Sequence, residues 1–229
     1  MAAIERVPHS YHFSEGRLSL RTAVRQGFYP TPKWHQLATS ILEAEPLPGW
    51  MSRAVKLLAA NTGETVWISA ASGQYAIVLD VMESEAPVRY AAPAGKRVLT
   101  ASGQALLSQF SLKDRDILLR KATFDERGPR AARTVEEVVQ QIDAGLERGW
   151  FWSASCHTPD LGGVAIPMIA NERVDALTVA GPLYRVEVLF ESFAAAIYDV
   201  LVREHDCEQN KVSWPRAFPL LEAFQRPAT

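Results

Sequence analysis

Along this chain the spacing of apolar residues alternates between about 3.6 and 2, and each change of period marks an element. Trp34 to Glu45 carries Leu37, Ala38, Ile41 and Leu42 at helical spacing until Pro46 and Pro48 stop it. Met51 to Ala60 predicts a second helix with Ala54, Val55, Leu57 and Leu58 mostly on one side, closed by Asn61-Thr62-Gly63. The period then shortens. Thr65 to Ala70 and Tyr75 to Val81 read as two strands joined across Ser72-Gly73-Gln74, an antiparallel hairpin, and Val88-Arg89-Tyr90 as a third. Leu99 to Leu107 runs from an extended segment through small residues into a helix.

Ser111 caps a helix from Leu112 to Lys121, and Thr134-Val135-Glu136-Glu137 matches a capping box. Behind that box Val135, Val138, Val139, Ile142 and Leu146 form the clearest amphipathic stripe, ended by Gly149. Trp150 to Ser155, Val164 to Ile169 and Val174 to Ala180 predict three strands, and Arg185 to Arg203 one long helix. The order of helices and strands predicts antiparallel pairing with helices on a face, an α+β arrangement rather than parallel βαβ units. The end, with Trp214, Pro215, Pro219 and Pro227, is too proline-broken for a long helix.

Composition narrows the function. The 229 residues are 48% hydrophobic and suffice for a substantial core. A net charge of -2 gives no electrostatic hold on nucleic acid, and the basic residues between 113 and 133 are interleaved with acidic ones. Two cysteines make no disulfide framework, the first residues lack a secretory signal pattern, and no apolar run is long enough to span a bilayer. A cytoplasmic protein without a membrane role is expected.

Several groups of residues invite chemistry. The small residues from Thr100 to Gly103 leave the first amides of a helix approachable, a seat for a small anion. The plainer reading is that Thr100 or Ser102 caps the helix. Ser102, His157 and Asp160 have the residue types of a hydrolase triad, but Thr100 and Gln104 stand where a nucleophile elbow needs glycine. Cys156, His157 and Asp160 carry metal-binding atoms, but no second cluster completes a ligand set. No catalytic residue, metal or cofactor is therefore expected. Trp67, Trp150 and Trp152 suit core packing better than an aromatic cage.

Five ordered segments carry a resemblance. Thr62 to Val66, Thr100 to Leu107, Gly149-Trp150, Gly163 to Met168 and Ala176 to Pro182 resemble, in order and spacing, the effector-binding domain of IclR-type transcriptional regulators. The resemblance covers roughly residues 50–203. It implies a GAF-like antiparallel sheet with flanking helices and a ligand pocket between sheet and helices, in a homodimer or homotetramer. It divides the chain into a remnant of the wing and linker of a DNA-binding region (1–25), linker and N-terminal helices (26–62), the effector-binding domain (63–205) and a C-terminal tail (206–229). The family's winged helix-turn-helix would reach DNA, and residues matching it are expected to be missing here, with Tyr11 to Leu20 resembling only its trailing strand and the start of the linker. The effector implied is a small carboxylate or aromatic acid. The ligand-binding positions carried over are Thr100, Ala101 and Ser102, then Ser153, then Leu161 and Gly163, then Thr178 and Ala180. Strand alternation agrees, since 178 and 180 share a face. The chain departs from the family pattern in Ser153-Ala154-Ser155-Cys156, which lacks a common acidic side chain, in Gly163, and in Ala180 where serine is frequent.

Overall fold

In a computed structural model, residues 47–73, 75–90, 96–97, 100–122, 124, 128–170 and 173–205 are described, with short pieces at 19–21, 28–30, 32–33, 35–36, 39 and 212–213. The chain divides into two compact units, Met1–Pro48 and Gly49–Thr229. In the first, β1 (Ser19–Arg21) pairs antiparallel with β2 (Phe28–Pro30). A helical turn follows, in which His35 and Gln36 donate their amides to Pro32 O at 3.0 and 3.2 Å. Most of the expected helix from Trp34 to Glu45, the segment around Tyr11 and the tail beyond Ser213 lie outside the described residues.

The second unit is an antiparallel sheet with helices on both faces. Helix α1 (Gly49–Thr62) stops at Gly63, whose φ of 69° a side chain would strain. Strands β3 (Thr65–Ser72) and β4 (Tyr75–Met82) form the expected hairpin, with a bulge between Ile68 and Ser69. A two-residue β5 (Lys96–Arg97) pairs with β4. Helices α2 (Ala101–Leu107), α3 (Leu112–Arg120) and α4 (Val135–Arg148) follow. Then come β6 (Phe151–Ala154), β7 (Leu161–Ala170) and β8 (Arg173–Pro182). A short α5 (Leu183–Val186), a 3-10 turn (Glu187–Leu189) and α6 (Phe190–His205) complete the unit, with β9 (Val212–Ser213) beside β7. The strand order is β5-β4-β3-β8-β7-β6.

The pleat sorts side chains between the two faces. Val66 and Ile68 of β3, Leu177 and Val179 of β8, and Val164 and Ile166 of β7 alternate onto one face and are fully buried. Trp50, Met51, Ala54, Val55 and Leu58 of α1 are buried too, and α1 packs against β3 and α6. On the opposite face α2 crosses β6, β7 and β8, and α4 lies against α2 and β6. Gln104 of α2 donates to Gln141 of α4 at 2.7 Å, so the buried amide joining the two helices has a partner.

Three expectations need correction. Val88-Arg89-Tyr90 is not a strand: the segment is held by side chains instead, Thr65 Oγ1 donating to Tyr90 O at 2.6 Å and Arg185 to Val88 O at 3.1 Å. The single helix expected from Arg185 to Arg203 is broken by the 3-10 turn, where Val188 is 87% exposed and Glu187 is drawn to Arg130 at 2.5 Å. Helices also cover both faces of the sheet rather than one. The predicted caps fared differently. Ser111 accepts the Asp114 amide and Thr134 the Glu137 amide, both at 3.1 Å and both as expected, but the return contact of the Thr134 box differs, the Glu137 carboxylate accepting from the amide of Arg133, one residue before the cap.

Candidate functional site

Across the α2 side of the sheet the register sets two rows of side chains. Thr65 lies opposite Ala180, Ala180 opposite Gly163 and Gly163 opposite Ser153, one row over four strands. The next row is Trp67, Thr178, Ala165 and Phe151. Small residues in the middle of the first row leave a hollow. A Cβ on Gly163 would stand 2.8 Å from that of Ala180, so the floor has no room for a larger side chain at 163 without displacement.

Helix α2 lies over this hollow, and a cavity of about 50 Å³ remains between helix and sheet. By the same measure that is space for about four waters or one compact organic molecule. All eight positions nominated from sequence line it: Thr100, Ala101 and Ser102 from the helix start, Ser153 from β6, Leu161 and Gly163 from β7, Thr178 and Ala180 from β8.

The helix start differs from the open seat expected for an anion. Ala101 donates its amide to Ser153 Oγ at 3.1 Å, so the first N–H of α2 already has a protein partner. Thr100 makes no side-chain cap, and its hydroxyl pairs with Ser102 Oγ at 3.0 Å. With seven residues, α2 adds only a small dipole.

Other lining residues were not nominated. Trp67 and Tyr90 form a tilted aromatic pair, ring centroids 5.7 Å apart, so Trp67 serves the cavity as well as the core. Trp152, expected in the core, is 41% exposed and packs on Phe190 instead. Burial pushes the Tyr90 hydroxyl up to about 12, which keeps it protonated and able to donate. Ser69 belongs to the same face as Trp67, two residues on, and alternation alone could have found it. Tyr90 had no such signal, because its place depends on the hydrogen bond to Thr65. The loop after β6 adds Cys156, His157 and Thr158, all half-buried. This loop is tightly folded: Ser155 and Asp160 take φ values of 50° and 57°, and the Asp160 amide donates to Ser155 Oγ at 3.2 Å.

Two lining hydroxyls stand apart. Ser69 and Thr178 are 0% and 1% exposed, and Ser69 Oγ and Thr178 Oγ1 find no hydrogen-bond partner among the described residues. A hydroxyl left in this state costs about 1–3 kcal/mol. Among the described residues none that lines the cavity is Lys, Arg, Asp or Glu. Among the described residues no three His, Cys, Asp or Glu side chains gather as a metal site, and no helix is long and apolar enough to cross a membrane.

The fold has counterparts among solved structures. An IclR transcriptional regulator from Silicibacter superposes with a TM-score of 0.73 at 20% identity, over 88% of this chain and 81% of its own. The IclR of Thermotoga maritima gives 0.65 at 16% identity, over 80% and 76%. The C-terminal domain of the E. coli transcriptional regulator KdgR gives 0.59 at 16% identity, over 66% and 91%. No curated protein matches the chain. The family model described as bacterial transcriptional regulator IclR C-terminal matches residues 40–200, and on that match the chain belongs to the IclR family of transcriptional regulators.

Proposed function

We propose that residues 63–205 form the ligand-sensing module of this regulator and bind one small organic molecule per chain in the cavity under α2. The observation that carries this reading is the pair of buried, unpartnered hydroxyls on Ser69 and Thr178 in the wall of that cavity. No described residue supplies a partner for them, and a guest with a hydrogen-bonding group would. The eight nominated positions are its contacts, and the small acids implied by the family resemblance are the first compounds to try.

Occupancy acts on transcription by favouring one arrangement of subunits in a homodimer or homotetramer, which requires unequal affinity for two arrangements. The module works in the cytoplasm, and DNA is reached through a winged helix-turn-helix rather than through the residues of the sheet domain.

Thermal denaturation against a panel of small acids, amides, alcohols and phenols tests the reading. At a hundred times its Kd a true ligand stabilises by about 2.7 kcal/mol, which for a domain of this size raises the Tm by roughly 5–10 °C. Ala180→Leu fills the floor of the cavity and should abolish the shift while the variant still unfolds cooperatively. A shift of the same size in that variant would place the ligand elsewhere, and no shift with any compound would defeat the reading.

A further inference from the structure

If the cavity under α2 senses a ligand, as the reading above has it, the placement of Ser69 and Thr178 says which part of that ligand they meet. On the paired strands β3 and β8, Thr178 stands opposite Trp67 and Ser69 opposite Ala176, so the two hydroxyls are diagonal neighbours on one face. Residues so placed have Cβ atoms roughly 6–7 Å apart, and one atom lying between them can touch both side-chain oxygens. Both residues are nine-tenths or more buried, and neither hydroxyl bonds to a described residue. A guest's hydroxyl is a single oxygen that accepts from one of them and donates to the other. Val78, opposite Ser69 on β4, and Trp67 line the cavity as their apolar neighbours, so a methyl group in the same place would leave both hydroxyls unsatisfied.

The start of α2 meets the sheet some way off. Its first amide donates to Ser153 of β6, which in the order β3-β8-β7-β6 is two strands from Thr178 and three from Ser69. Ser153 shares its row with Gly163 and Ala180, one step along the sheet from Thr178. Two strand spacings and a two-residue step put the Thr178 and Ser153 backbones about 12 Å apart, which leaves roughly 6 Å between the polar ends of a guest bonded on both sides. In the Thr100 and Ser102 pair one O–H is used between the two hydroxyls and the second can donate to such a guest. Gly163 and Ala180 keep the floor low between the two ends, where an apolar body would lie.

We infer that the cavity recognises a two-ended molecule, with a polar head at the start of α2 and, across a compact apolar body, a terminal hydroxyl seated between Ser69 and Thr178.

Compounds that exchange the far hydroxyl for a methyl group of similar size isolate this subsite: 4-hydroxybenzamide with 4-methylbenzamide, and 4-hydroxyphenylacetate with 4-methylphenylacetate, one pair with an uncharged head and one with a charged head. Titration calorimetry on the full chain at pH 7 should give at least one hydroxyl compound binding about tenfold or more tighter than its methyl partner. That advantage should fall below about threefold in Ser69→Ala and in Thr178→Val, while the methyl compound binds each variant at least as tightly as it binds the natural chain. Each variant removes an unpartnered hydroxyl, and cooperative unfolding in urea checks that it folds. A methyl compound that binds as tightly as its hydroxyl partner in both pairs overturns the inference. So does an advantage that survives in either variant, the result expected if a trapped water alone joins the two hydroxyls. Binding of none of the four compounds at millimolar concentration also overturns it. The sensing reading fails separately, when the wider panel produces no thermal shift.

Discussion

Gly145 lies against the ring of Phe151, where a Cβ would stand 2.3 Å from two ring carbons. Phe151 is fully buried and has no outward route, so Gly145→Ala should destabilise by about 1–3 kcal/mol, even though alanine is the better helix former by about 1 kcal/mol. Urea denaturation checks this, and Phe151→Leu should recover part of the loss. Nearby, the Tyr198 hydroxyl donates to Gly149 O, and Gly149 ends α4 at a φ of 88°. Burial raises Tyr198 above the ordinary phenol range and Tyr90 to about 12. Since unfolded tyrosines ionise near pH 10, the unfolded chain loses these protons first. Stability from this source is complete below pH 10 and declines as pH climbs through the raised values. In equilibrium unfolding between pH 9 and 12, Tyr198→Phe should soften that decline while costing about 1 kcal/mol at pH 7. At this scale the sequence was readable wherever a period or a cap exposed the answer: Ser111, Gly149 and the 178/180 face all stand as expected. Tyr90 and the buried state of Ser69 were not readable, because both depend on contacts between residues far apart in the chain.

Among the elements, the turn from β8 into α5 is pinned to the α1–β3 turn by one ion pair. Glu64 is 3% exposed and takes a two-pronged contact from Arg185, while Gly181 leaves the space, since a Cβ there would stand 2.2 Å from Glu64 Oε2. Arg185 also holds Val88 O, so the pair reaches the segment that carries Tyr90 to the cavity. Arg185→Met strands a buried carboxylate and should cost about 2–4 kcal/mol, less than for a fully buried pair because Arg185 is 30% exposed. Glu64→Gln together with Arg185→Met should recover much of that loss, which a double-mutant cycle in urea measures; additive losses would contradict the coupling. This region also marks where sequence reading stopped. An apolar stripe from Val186 to Leu201 reads as one helix, and nothing local announces that Glu187 will turn toward Arg130 or Arg185 toward Glu64. The long stripe of α4 and the hairpin of β3 and β4, announced locally by a cap, a period and a glycine turn, matched their prediction closely.

For the whole molecule, the cavity follows from the fit of three parts: a sheet with small residues at Gly163 and Ala180, a short helix laid across it, and an aromatic pair at one side. The α+β class and most of the strand boundaries were visible in the change of period along the chain. The five ordered segments carried the family, and the match over residues 40–200 agrees with them. What no pattern could display was the state of the cavity wall, where two hydroxyls sit buried with nothing to bond among the described residues. The central claim is that they await a guest, and Thr178→Val tests it most directly because it removes one hydroxyl with little change of shape. Thermal denaturation with and without a ligand from the panel should show the empty variant about 1 kcal/mol more stable than the natural chain, and its ligand-induced shift clearly smaller. An empty variant no more stable than the natural chain, with its ligand response intact, would contradict the account.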